Sequence, residues 1–281
     1  MSIKILIDSA SDISQKEADE LGISIIPLIV TINNENFYDG VNLLPKEFYK
    51  KLIKSEELPK TTQVNYYRFK EELERLTIKG DKVIVITLSS KLSGTYSSAY
   101  QASSNFGEQV YVLDSMTATA GERLLCLYAL DLIKQGLSFE TIIEKLEQIK
   151  SKIIVLGVLD TLEYLKKGGR ISSATAFVGE LLLIKPAVQL TNGEIKSIAK
   201  IKGTKKINEF INSKLEELNI DLNMPHSIIY TGLSDERAND FINKNTYIIN
   251  EQDTNVKINI VGSTIGSHLG PNVLGVAFFT K

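Results

Sequence analysis

The sequence predicts an α/β protein: a doubly wound, mostly parallel Rossmann-like sheet domain over residues 1–152 and a second α/β domain with a partly antiparallel sheet over 153–281. Short apolar runs such as Ile3 to Ile7, Lys82 to Leu88 and Gln109 to Leu113 alternate with helical patterns, as strands buried on both faces of a parallel sheet do. The pattern changes character near Lys152. Beyond it, Asn192-Gly193 separates Ala187 to Leu190 from Glu194 to Ala199, a two-residue hairpin signal that requires antiparallel strands.

Each element has a local cause. Ser14-Gln15-Lys16-Glu17 has capping-box spacing and opens a helix that ends near Gly22. Ile23 to Ile32 is strand-like, Asn33-Asn34-Glu35-Asn36 supplies turn chemistry, and Phe37-Tyr38 returns as a hairpin. Helical patterns follow at 45–54, 66–77, 94–106, 117–135 and 138–150. In the second half, the strand Ile153 to Leu159 leads to a helix through Tyr164 and an apolar helix from Ser173 to Leu183. Helices at 204–218 and 234–244 and strands at 227–231, 255–261 and 273–279 complete the chain. The glycine-rich stretch 262–272 reads as a loop.

Composition narrows the function. Across 281 residues, 32 basic against 34 acidic side chains give a net charge of −2, which argues against nucleic acid as the main partner. No run approaches about 18 apolar residues, and Met1-Ser2-Ile3-Lys4 opens straight into a strand pattern without a signal-peptide layout. A cytoplasmic protein without stable membrane insertion is expected. Cys126 stands alone in an apolar helix and reads as a packed core residue.

Strand ends carry the chemistry. Asp8-Ser9, Asp114-Ser115 and Ser89-Ser90 each follow an apolar strand, and ligands of doubly wound sheets bind outside the carboxyl ends of strands. Asp8 and Asp114 either face that crevice or cap the helices that follow. Ser89-Ser90-Lys91-Leu92-Ser93-Gly94-Thr95-Tyr96 offers hydroxyls and free N–H groups where a strand turns into a helix, a setting for an anionic or carbonyl oxygen. With His226 and His268 the only histidines, and without zinc, Walker or dinucleotide spacing, metal or nucleotide chemistry is not expected. Nor is there a Gly-x-Ser-x-Gly elbow. His268, among glycines, is the better functional candidate; His226, just ahead of a strand, reads as structural.

Five segments in order resemble the DegV family: Asp8-Ser9-Ala10-Ser11-Asp12, Pro59-Lys60-Thr61-Thr62-Gln63, Leu92-Ser93-Gly94-Thr95-Tyr96, Leu165-Lys166-Lys167-Gly168-Gly169-Arg170-Ile171 and Gly266-Ser267-His268-Leu269-Gly270-Pro271. Two departures stand out: Val64 where the threonine motif often has proline, and Asn272 where the last motif often has glycine. Asn tolerates left-handed backbone, so the second loop is expected to survive.

The resemblance implies a bacterial fatty-acid-binding protein, the binding subunit of a fatty acid kinase, rather than an enzyme. A palmitate-, stearate- or oleate-type acid lies between the two domains and is presented to a separate ATP-dependent catalytic subunit that makes acyl phosphate for phospholipid synthesis. It implies that Ser93 holds the carboxylate with Thr61 or Thr62, Gly94 and His268, while Arg170, Thr95 and Gly266 contact ligand or partner. Hydroxyls and an imidazole suit this, each charge-assisted bond contributing roughly 1.5–3 kcal/mol. At about 0.8 kcal/mol per buried CH₂, about 14 methylenes add on the order of 11 kcal/mol before ordering costs. Ala176, Phe177, Leu181, Leu182 and Ile184 either line the tail tunnel or pack as core. The alternative is a serine hydrolase or acyltransferase with Ser93 as nucleophile and His268 as base, oriented by Asp8 or Asp114.

Overall fold

The computed structural model describes residues 2–171, 184–245 and 256–281. Its strands are β1 (Ile3–Asp8), β2 (Ser24–Ile26), β3 (Ile29–Ile32), β4 (Glu35–Tyr38), β5 (Lys60–Thr62), β6 (Lys82–Thr87), β7 (Val110–Asp114), β8 (Ile153–Val158), β9 (Ile184–Thr191), β10 (Glu194–Lys202), β11 (His226–Tyr230), β12 (Val256–Ile260) and β13 (Leu274–Phe279). The helices are α1 (Gln15–Leu21), α2 (Pro45–Lys54), α3 (Tyr66–Thr77), α4 (Thr95–Ser103), α5 (Ala120–Lys134), α6 (Phe139–Ile149), α7 (Glu163–Lys167), α8 (Ile207–Glu217), α9 (Glu236–Lys244) and α10 (Ser263–Leu269). The helix expected over 173–183 lies outside the described residues.

Three sheets form. The first is parallel, in the order β2-β1-β6-β7; the second is mixed, in the order β10-β9-β8-β13-β11-β12; the third is a small antiparallel sheet, β4-β3-β5. The apolar run from Ile23 to Ile32 is two strands in different sheets. Pro27, which has no N–H to give a ladder, divides them. β5, too short to show a period, has no sequence signal. The 262–272 stretch is largely helix rather than loop: α10 fills most of it.

Alternation along the mixed sheet divides its two faces. Ile153 and Val155 of β8 and Ala277 and Phe279 of β13 join the core around the parallel sheet. Their neighbours Ile154, Leu156, Val276 and Phe278 join a second core with Ile211 and Phe241 from α8 and α9. The turn of the β9–β10 hairpin, Asn192 at φ 50° and Gly193 at φ 81°, is of the expected left-handed kind. It docks on the end of the parallel sheet: Ser89 Oγ donates to Gly193 O at 2.9 Å, and Gly193 N–H to Met116 O at 2.8 Å.

Cys126 is buried in α5, as expected of a core thiol. In the first turn of the same helix, Glu122 is fully buried, and neither carboxyl oxygen has a hydrogen-bond partner among the described residues. Burial, with Asp8 and Asp12 nearby, pushes its pKa well above the ordinary value of 4.5. The folded chain therefore holds this proton to higher pH than the unfolded chain. The stability Glu122 contributes is complete below about pH 4.5 and is lost as pH rises toward the folded pKa. Glu122→Gln keeps the shape without the titration, so its Tm should gain on wild type between pH 5 and pH 8; a calorimetric difference independent of pH would contradict a buried neutral Glu122.

Candidate functional site

The order of the parallel sheet reverses between β1 and β6. A cavity lies at that point, bounded by Leu88 and Leu92 after β6, by Val155 and Gly157 on β8 and Leu159 just after it, and by Val188 and Leu190 on β9. Thr61 of β5 and a face of α10 complete it. Apolar side chains dominate the lining, and the polar groups gather mainly at one end.

That end is cross-linked. Ser93 Oγ lies 2.9 Å from Thr95 Oγ1 and accepts the Thr95 N–H at 3.3 Å, so buried Thr95 orients the serine at the N-terminus of α4. Arg170 donates from Nε to Leu92 O at 3.1 Å and from Nη1 to Gly168 O at 2.5 Å. Gly168 in turn packs against the His268 ring so closely that a Cβ there would run into Nδ1. His268 Nε2 sits 2.9 Å from Thr61 Oγ1. Burial and the Arg170 charge lower the His268 pKa to about 4, leaving a neutral ring at neutral pH. Nδ1 has no hydrogen-bond partner among the described residues, so the tautomer with its proton on Nε2 leaves no orphan N–H. His268 then donates to Thr61, and the Thr61 hydroxyl is free to donate into the cavity.

The DegV family model, described as that of an uncharacterised protein family, matches residues 2–281. A DegV domain-containing protein of Clostridium perfringens is 34% identical, with 98% of this chain and 96% of that one covered. This chain belongs to the DegV family. Among solved structures, a Thermus thermophilus DegV protein described for fatty acid binding superposes with a TM-score of 0.89 at 28% identity, covering 100% of both chains. The Bacillus subtilis DegV, described as a fatty acid binding protein, gives 0.84 at 32%, again covering 100% of both.

In this DegV chain Ser93, Gly94, Thr61, Arg170 and His268 all line the cavity, with Thr95 one bond behind. Thr62 does not: alternation along β5 turns it outward. Gly266 lies on another face of α10, packed against Phe48 and Tyr49. Asp8 and Asp114 are absent from the lining. Asp8 accepts Ala10 N–H at 2.9 Å and Leu88 N–H at 2.8 Å, and Asp114 accepts the N–H groups of Ser90 and Met116 at 3.1 and 3.0 Å. Neither carboxylate reaches His268, and no hydrogen bond joins Ser93 to His268, so the hydrolase arrangement is not assembled. His226 begins β11, buried, with Nδ1 3.2 Å from Met224 O. Ile184 opens β9 outside the lining, and Ala176, Phe177, Leu181 and Leu182 lie outside the described residues. Asn272, at φ 64°, takes the left-handed backbone expected of the departure from glycine.

Residues that sequence reasoning missed hold the site in place. Asp39 accepts the Ser9 hydroxyl at 3.0 Å, the Ser263 N–H at 3.0 Å and the Ser263 hydroxyl at 2.5 Å; Asp12 accepts the Gly262 N–H at 2.8 Å and the Thr119 hydroxyl. Thr119 lines the cavity at φ 54°, ψ −137°, a strained backbone for a β-branched residue that costs about 1–3 kcal/mol. Its N–H to Ala10 O, at 2.7 Å, and its bond to Asp12 hold it there. No local sequence signal marks Asp39, whose partners come from opposite ends of the chain. Asp39→Ala leaves three donors without their acceptor and should lower stability by about 2–4 kcal/mol in urea unfolding. A loss under about 0.5 kcal/mol would show that α10 is held by other means.

Proposed function

We propose that this DegV protein is a fatty-acid carrier that holds the carboxylate at Ser93 and Thr61, with His268 orienting the Thr61 hydroxyl, and buries the acyl tail in the cavity. One observation carries the reading: a mainly apolar cavity whose polar groups gather mainly at one end, the shape of an amphipathic ligand. The solved relatives described as fatty acid binding support it. At the polar end, Ser93 and Thr61 supply hydroxyls and the first turn of α4 supplies N–H groups and the positive end of its dipole. Arg170 adds a cation whose bonded partners are carbonyls, with no ion pair to a carboxylate among the described residues.

The carboxylate is therefore bound chiefly by neutral donors at an accessible end. This suits presentation to a separate ATP-dependent fatty acid kinase subunit, and Arg170, next to the head group, is placed to meet ligand or partner. The chain carries no Walker or dinucleotide glycine motif, so the phosphate donor belongs to that partner. Among the described residues no helix is long and apolar enough to cross a membrane.

Mass spectrometry of an organic extract from purified protein should find about one fatty acid per chain, reduced severalfold in Ser93→Ala, in keeping with a lost charge-assisted bond. No lipid in either sample after reloading with free acid would set the carrier aside. Gly157 lines the cavity, and a Cβ there meets only ordinary contacts with Leu159, Val273 and Val188 at 3.7 to 3.8 Å. Gly157→Leu should thus fill tunnel space and shift the extracted lipid toward acids about two to four carbons shorter, because close-packed interiors leave no slack; an unchanged chain profile would place the tail elsewhere.

A further inference from the structure

Gly94, at the N-terminus of α4, carries no side chain because a residue from another element occupies that space. A Cβ there would lie 2.1 Å from Oε1, 2.8 Å from Cδ and 3.0 Å from Nε2 of Gln63, so the whole side-chain amide of Gln63 rests on the Gly94 Cα. The same amide donates from Nε2 to Ser98 Oγ at 3.1 Å. Gly94 and Ser98, four residues apart, share one face of the first turn of α4, and Gln63 lies along it. The alternation that points Thr61 inward and Thr62 outward returns Gln63 to the cavity side.

Gln63 also marks where the cavity opens. Of the described residues that line it, Gln63 alone is exposed; Thr61, Ser93, Arg170 and His268 of the polar end are half-buried, and Val155 and Leu190 are buried. The mouth is therefore at the polar end, and Gln63 stands in it. Val64, the next residue, is fully buried in the core around the parallel sheet, so the backbone is anchored and opening is a rotation of the Gln63 side chain.

We propose that Gln63 is the gate of the binding site: its amide, seated on Gly94 and latched to Ser98, closes the mouth at the polar end and sets how fast an acid enters and leaves without setting how tightly it is held. The proposal rests on the carrier reading. An exposed side chain changes rotamer far faster than a long-chain acid threads a cavity. Passage in either direction is then slowed by the same factor, the fraction of time the gate is open. Entry and exit change together, and affinity stays.

Transfer of octadecanoic acid from loaded protein to excess albumin gives the rate of release, and its partition at limiting albumin gives the relative affinity. Gln63→Ala should release the acid about fivefold faster than wild type, as the loss of one hydrogen bond allows, with partition unchanged within about twofold. Unchanged partition also shows that the variant is folded. Ser98→Ala removes the latch without altering the lining and should speed release as well. The double variant should be no faster than Gln63→Ala, because both changes free the same side chain. Equal release rates in wild type and both single variants overturn the gate and leave the carrier standing. Faster release matched by an equal loss in partition does the same, since Gln63 would then be a contact of the ligand. Failure of wild type to retain octadecanoic acid overturns the carrier reading and this proposal together.

Discussion

Two carboxyl groups at the start of α10 set the geometry of the cavity. A helix of seven residues is too short to hold its own position. Its entry is fixed instead from outside: Gly262 ends on Asp12, Ser263 ends on Asp39, and the Tyr49 hydroxyl donates to Val261 O at 3.0 Å. These three acceptors and donors come from the turn after β1, the end of β4 and α2. The parallel sheet, the small antiparallel sheet and the mixed sheet are thus joined where α10 begins. His268 inherits its place from that junction.

Burying two carboxyl groups together raises the question of charge. Burial pushes the Asp12 pKa up to about 8, and the repulsion of Asp39 adds to the rise. Asp8, under the same desolvation, rises to about 7 even with two backbone N–H groups opposing the shift. A proton retained on Asp12 relieves the repulsion. The junction is thereby held by hydrogen bonds rather than by an ion pair, and no counter-ion has to be brought into the core. The buried Arg123, close by, is matched separately by Glu17.

How much of this was legible follows from range. The alternating strands and helices, the Asn192-Gly193 hairpin and the capping box at Ser14 depend on neighbours in sequence, and each was readable. Ser93, Thr61, His268 and Arg170 were named through motifs, and the cavity brings them together. Thr62 against Thr61 depends on which way a three-residue strand faces, and so short a run shows no period. α10 reads as a loop in the sequence because Gly266 and two serines weaken helix propensity, and its stability comes from Asp12 and Asp39 more than 200 residues away. Gly168 was part of a motif, but its reason, the His268 ring against its Cα, appears only when the chain has folded.

On the carrier reading proposed above, the electrostatics of the polar end explain how a carboxylate would be held and still released. His268 is neutral, Ser93 and Thr61 are neutral, and Arg170 is tied to backbone carbonyls. An entering carboxylate breaks no existing ion pair among the described residues. It gains the positive field of Arg170 and a set of hydroxyl and N–H donors, each bond modest and independently broken. A buried salt bridge in the same place would bring a larger desolvation penalty on entry and leave a stranded charge on departure. In the proposed carrier, affinity would rest on the tail, where contact is diffuse and chemically inert, and the head group would stay exchangeable at the polar end.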